Sequence, residues 1–162
     1  MISLTGIVDI RDMKEFEEYL NEHKASLLEE SQWRPMIHSL RLIKTPDEIE
    51  KIRKAVTISH EAFAHIEKTI QPGMYEYEIE AEIARIFRQY HLTEAYPSIV
   101  ASGPNSCILH YTDHTRQIQD GDLVLVDAGC EYMGYASDTT RTLFIGHAMS
   151  DRIRQVYDSV LY

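Results

Sequence analysis

Apolar residues recur every three or four positions through much of the chain. Met13, Phe16, Leu20 and Leu27 follow this spacing and predict a helix over residues 9–30. Ser31 to Pro35 reads as a connector that Trp33 could anchor, and residues 36–43 as extended chain. Thr45-Pro-Asp-Glu48 then predicts a helix start, with Thr45 as N-cap, Pro46 in the first turn and Glu48 reaching back as a capping box. Ile49, Ile52, Val56, Ser59, Phe63, Ile66 and Ile70 continue the stripe until Gln71-Pro-Gly stops it. A second stripe, Ile79, Ile83, Ile86, Phe87 and Tyr90, predicts a helix over 76–90. From there the period changes. Strand-like runs cover about 95–102, 107–111, 122–128 and 135–145, separated by Ser102-Gly-Pro-Asn and Gln119-Asp-Gly-Asp. Ser150 caps a last helix with Ile153, Val156, Tyr157, Val160 and Leu161 inward. Two helices followed by a set of strands is an α+β unit, with the helices on one face of a mostly antiparallel sheet.

The stretch richest in chemistry runs from Leu123 to Thr142. Four apolar residues lead into Asp127, which predicts a strand buried on both faces and ending in a carboxylate. A charge there is costly unless something satisfies it. If Glu131 to Gly134 forms the turn, the register sets Asp138 opposite Asp127 on one face, Cβ atoms ~5 Å apart. Two carboxylates that close repel unless they share a proton or bind cations, and a pair of divalent ions uses both. A one-residue slip around Gly134 would send them to opposite faces. A plainer alternative also stands, in which Asp127-Ala-Gly is a turn and Asp138 a solvated strand-end residue.

The quoted motif, Val-Asp127-Ala-Gly-Cys-Glu-Tyr followed by Gly-Tyr-Ala-Ser-Asp138-Thr-Thr-Arg-Thr, resembles the metal-binding hairpin of aminopeptidase P (Xaa-Pro aminopeptidase). That enzyme belongs to the pita-bread metallopeptidases, alongside methionine aminopeptidase and prolidase. The likeness extends through Gly103-Pro-Asn-Ser-Cys-Ile-Leu-His110-Tyr-Thr, Asp120-Gly-Asp-Leu and Leu40-Arg-Leu-Ile-Lys-Thr-Pro46, and covers roughly residues 32–162.

Several expectations follow from the resemblance. Asp127 and Asp138 match two of the family's five metal ligands, and His110 matches its substrate-contacting catalytic histidine. The histidine and two glutamates that complete the ligand set have no match in the chain. The resemblance therefore implies a fragment, lacking the second half of the catalytic domain and inactive alone. It implies residues 1–35 as the end of an N-terminal domain plus linker helix, and 36–162 as the first half of a pita-bread domain. The implied activity is hydrolysis of the bond between an N-terminal residue and a following proline, through a hydroxide activated by two divalent metal ions, Mn²⁺ by resemblance. All-oxygen aspartate ligands accord with hard or borderline cations. A prolidase-type dipeptidase and a non-catalytic pita-bread binding module are the alternatives. Homo-oligomers and peptides with proline in second place complete the implied partners.

Other residues add little chemistry. His110 and His114 lack the glutamate of a zincin pair, and His60 and His65 point ~140° apart on a helix. Arg141 is expected in a salt bridge on the face opposite Asp138, with Thr140 and Thr142 beside Asp138 to bond a ligand carboxylate. Glu76 to Glu82 reads as acidic helix surface, and a stripe around Ile153 and Val160 should stay exposed. Of 162 residues, 26 are acidic and 16 basic, a net charge of −10 that argues against nucleic acid or anionic membrane as partners. Hydrophobic content of 44% is that of a soluble globular protein, and no apolar run approaches a membrane span. The first residues show no secretory pattern, and Cys107 and Cys130 are expected as free buried thiols, so the expected compartment is the cytoplasm.

Overall fold

The computed structural model describes residues 30–161, so the helix expected over 9–30 lies outside the described residues. Two compact units divide between Ile49 and Glu50. The first contains α1, Glu30–Leu42. Its span replaces the connector and extended segment read from the sequence. Pro35 lies inside this helix, where it removes one hydrogen bond, and Met36, Leu40, Arg41 and Leu42 are strong helix formers.

Helix α2, Pro46–Thr69, starts as its sequence specifies: the Thr45 N–H donates to Glu48 Oε2 at 2.7 Å, and the Glu48 N–H to Thr45 Oγ1 at 3.4 Å. In the second unit its inward face is Ala55, Ile58, Ser59, Ala62, Phe63 and Ile66. Ser59, Phe63 and Ile66 of the expected stripe thus face inward, whereas Val56 is exposed and Ala55, Ile58 and Ala62 complete the face. Alanines at 55 and 62 allow close packing of the helix on its neighbours. Helix α3, Glu76–Gln89, buries Ile79, Ile83, Ile86 and Phe87, while Tyr90 caps it half in solvent.

The strands form two three-stranded antiparallel sheets. β1 (Thr93–Glu94), β4 (Cys130–Tyr132) and β5 (Tyr135–Ala136) make one, in the order β1-β4-β5. β2 (Ile99–Ser102), β3 (Asp122–Ala128) and β6 (Thr139–Ile145) make the other, in the order β2-β3-β6. Val100, Val124, Val126, Ala128 and Cys130 join the α2 and α3 side chains in one core. Leu123, Leu125 and Asp127 on the other face of β3 are half-buried, so β3 is not buried on both faces among the described residues. Residues 107–111 are not a strand. A 3₁₀ turn, Gly103–Cys107, leads into a loop in which His110 is left-handed at φ 52°. The expected 135–145 strand is broken at Ser137-Asp138, and the 95–102 strand shrinks to β2.

Helix α4, Asp151–Leu161, buries no residue. Only Ile153 and Tyr157 of its expected inward stripe are half-covered, and Val160 is exposed. No helix among the described residues is long and apolar enough to cross a membrane.

Candidate functional site

Asp127 is the last residue but one of β3, paired with Thr140, and Ala128 pairs with Thr139. Beyond them the chain turns through Met133-Gly134, both with positive φ (51° and 81°), so Glu131 faces Ala136 and Tyr132 faces Tyr135. Two left-handed central residues make the tight turn that matches strand twist. The turn is therefore two residues long, not the four expected. The partner of Asp127 shifts by two positions, from Asp138 to Thr140. A two-residue shift preserves the face, because side chains alternate with period two. Asp138 becomes the diagonal neighbour of Asp127.

Between the two ladders lies Gly129. A Cβ there would meet the Ser137 carbonyl oxygen at 1.9 Å and Tyr96 Cε1 at 3.2 Å. Only glycine permits this close strand crossing and leaves room for the Tyr96 ring above it. The ring carries its hydroxyl to both acids: 2.6 Å from Asp127 Oδ1 and 3.1 Å from Asp138 Oδ1. One phenol therefore draws together the two carboxylates that the sequence singled out. Burial, then the hydrogen bond to Asp127 and the charges of both acids, push the Tyr96 phenol far above its ordinary value, so it remains a donor. Among the described residues, the second oxygen of each aspartate carries no hydrogen bond. An all-oxygen, doubly anionic pair with a free oxygen on each member fits a hard divalent cation. Among the described residues no cluster of three or more His, Cys, Asp or Glu joins them.

Thr140 lies directly across from Asp127 and Thr142 across from Leu125, on the site face. Arg141 is exposed and donates to the Thr140 carbonyl at 2.7 Å; it enters no ion pair among the described residues, contrary to expectation. His110 is exposed on its loop, and no contact among the described residues joins it to the two aspartates. His114 Nε2 accepts the Val100 N–H at 3.3 Å, a structural role. His65 bonds Glu82 at 3.0 Å on the helix surface. Both cysteines are free, but Cys107 is exposed; only Cys130 is buried, beside Ser59 and Ser137.

The sequence reading missed two residues, one at the site and one beneath the loop that carries His110. Tyr96 carries no motif; its place before Pro97, in extended chain, is the sole hint. Glu76, read as helix surface, is fully buried. Its oxygens accept hydrogen bonds from the Ser102 N–H and hydroxyl, the Asn105 amide, the Tyr111 hydroxyl and the Arg116 N–H, at 2.7–3.2 Å. Burial works to raise its pKa, but these donors outweigh it and hold the carboxyl below its ordinary range.

The profile of metallopeptidase family M24 matches residues 50–162. The chain is 45% identical to an Xaa-Pro aminopeptidase of Escherichia coli over 130 residues, covering 80% of this chain and 30% of that protein. It is 40% identical to an Xaa-Pro aminopeptidase of Haemophilus influenzae, covering 98% of this chain and 37% of that protein. The chain thus spans about a third of the length of these relatives. A solved proline aminopeptidase P II from Yersinia pestis superposes with a TM-score of 0.77 at 46% identity, over 80% of this chain and 30% of that one. The α+β arrangement is that of half a pita-bread domain.

Proposed function

Because the chain belongs to metallopeptidase family M24, we propose that the whole protein is a metal-dependent aminopeptidase that cleaves an N-terminal residue from a following proline. The observation that carries this reading is the convergence of Asp127 and Asp138 on the one hydroxyl of Tyr96. Asp127 and Asp138 would hold divalent ions, with Mn²⁺ the proposed metal and a dinuclear centre the proposed arrangement. Bound there, such ions supply Lewis-acid polarisation of a carbonyl and an activated nucleophile at neutral pH.

The chain's own residues then divide the remaining work. The two aspartates set the charge and spacing of half the cation site. Tyr96 orients both, its proton turned toward the acids. Thr140, opposite Asp127, borders the same face and is placed to bond a carboxylate. His110 contacts substrate from its exposed loop. Residues 1–35 are proposed as the end of an N-terminal domain with its linker, and 36–162 as the first half of the catalytic domain. The proposed setting is a cytoplasmic homo-oligomer acting on peptides with proline in second place.

Two carboxylates cannot fix two metals, so the 162-residue chain alone should be inactive. The test compares the complete protein, loaded with Mn²⁺ or treated with chelator, on an Ala-Pro-Ala tripeptide and an Ala-Pro dipeptide. Chelator-sensitive hydrolysis of the tripeptide, lost in Asp127→Asn and Asp138→Asn, is expected. Hydrolysis indifferent to either aspartate would overturn the assignment, and exclusive dipeptide turnover would move it to a prolidase.

A further inference from the structure

We propose that Glu76 is a positioning residue, whose buried carboxylate sets the conformation of the loop 103–116 and thereby the place of His110. The inference rests on the reading of His110 as a substrate contact, and extends it to a residue more than thirty positions away in the sequence.

Every donor to Glu76 belongs to the segment from Ser102 to Arg116. Ser102 is the last residue of β2, Asn105 lies in the 3₁₀ turn, Tyr111 follows His110 directly, and Arg116 ends the loop. One carboxylate therefore touches the loop at its start, near its middle and at its end. The start of α3 grips the loop in the opposite sense. The Glu76 N–H donates to the Arg116 carbonyl at 3.0 Å and the Tyr77 N–H to the His114 carbonyl at 3.1 Å. The Arg116 guanidinium donates to Ser102 Oγ at 2.7 Å and pairs with Asp122 at the start of β3. A positive charge thereby closes the ring around a buried negative one.

The outer edge of β2 uses the same parts. All four β2 residues face partners on β3, but alternate residues of an antiparallel pair turn their N–H groups away from the partner strand, here Val100 and Ser102. His114 takes the first and Glu76 the second. The loop is thus pinned along the strand that runs beside Asp127. Cys107, Ile108, Leu109 and His110 stand outside the network and are exposed, Leu109 at 91%. The framed loop presents His110 at its bare tip in a left-handed conformation, φ 52°, uncommon for a non-glycine residue.

Glutamine cannot substitute. Its amide nitrogen would point donors at donors whichever way the group is turned, because both Glu76 oxygens only accept. Tyr111→Phe is the milder variant: it keeps the charge but removes one 2.7 Å donor to Glu76 and, with the same hydroxyl, the acceptor of the Asn105 amide and the Thr115 N–H.

The test has two arms. In the 162-residue chain, amide hydrogen exchange is followed by mass spectrometry. Glu76→Gln is expected to speed exchange of residues 103–116 about tenfold and Tyr111→Phe about threefold, while the Asp122–Ala128 strand stays within about twofold. Unchanged loop exchange in Tyr111→Phe, or uniform acceleration across the chain in both variants, overturns the proposal, even if Glu76→Gln fails to fold. In the complete protein, Glu76→Gln should lower kcat/KM about tenfold in the wild-type background and less than about twofold in a His110→Ala background. Equal losses in both backgrounds overturn the route through His110. A complete protein without peptidase activity would refute the function, while the exchange arm would still decide whether Glu76 sets the loop.

Discussion

Gly129→Ala tests the geometry on which the paired carboxylates depend. The added methyl would sit 1.9 Å from the Ser137 carbonyl oxygen and 2.6 Å from its carbon. Carbon–oxygen contacts settle near ~3.3 Å, so the strands must part by more than ~1 Å. Both atoms in the way are backbone, so no flexible side chain can absorb the shift. The separation strains the Ser137 N–H bond to the Cys130 carbonyl, now 2.9 Å, worth about 1 kcal/mol. Overpacking costs typically ~1–3 kcal/mol more. The smaller unfolded-state entropy of alanine returns about 0.4–1 kcal/mol. The net loss is about 1–3.5 kcal/mol, which for a chain of this size lowers Tm by about 2–14 °C. Circular dichroism melts at 222 nm measure it. A Tm within about 1 °C of wild type would refute the close crossing at Gly129. The methyl also presses on Tyr96, so in the complete protein the same substitution should weaken Mn²⁺ binding about tenfold by calorimetry.

Further expectations follow from the same contacts. Tyr96→Phe leaves two carboxylates facing each other without their shared donor, and should cost about 1.5–3 kcal/mol, read as a lower urea midpoint of the metal-free chain at pH 7; an unchanged midpoint would show that the phenol carries nothing. Glu76 is held below its ordinary pKa of 4.5, so the unfolded chain binds its proton first as pH falls. Its contribution is present above that value and lost as pH drops below it; the urea midpoint of the wild type should therefore fall more steeply between pH 5 and 3 than that of Glu76→Gln, and parallel curves would contradict the shift. The isolated chain with excess Mn²⁺ should show no tripeptide hydrolysis above a blank, and robust chelator-sensitive turnover would show that two carboxylates suffice.

Much of the fold was legible because its signals are local. The Thr45–Glu48 box, the breaker at Pro72-Gly73 and the apolar stripe of α3 each act within a few residues, and each forms as read. The misreadings share a different cause. Residues 107–111 alternate like a strand, but Glu76, a residue from another element, draws the surrounding backbone and side chains into a loop. Residues 135–145 break at Ser137 because Gly129 crosses there at close range. Ser31 to Pro35 read as a connector and 36–43 as extended chain, yet both lie in α1, where helix formers around Pro35 absorb the loss of one bond.

The candidate site shows the same division. Period two and the Asp127–Asp138 spacing allowed both acids to share a face without deciding it, and the observed register, two residues from the expected one, keeps that parity. Sequence could not say what stands between them. Tyr96 reaches the pair from 31 and 42 residues away, and Glu76 gathers donors from 26 to 40 residues along the chain. Nothing local marks either residue, because a hydroxyl or carboxylate acquires its role from the partners that folding delivers. The order of elements, the helix stops and the identity of the acids were written in neighbouring residues. Which groups meet them was decided by packing, since burying a charge is tolerable only where distant donors arrive to satisfy it.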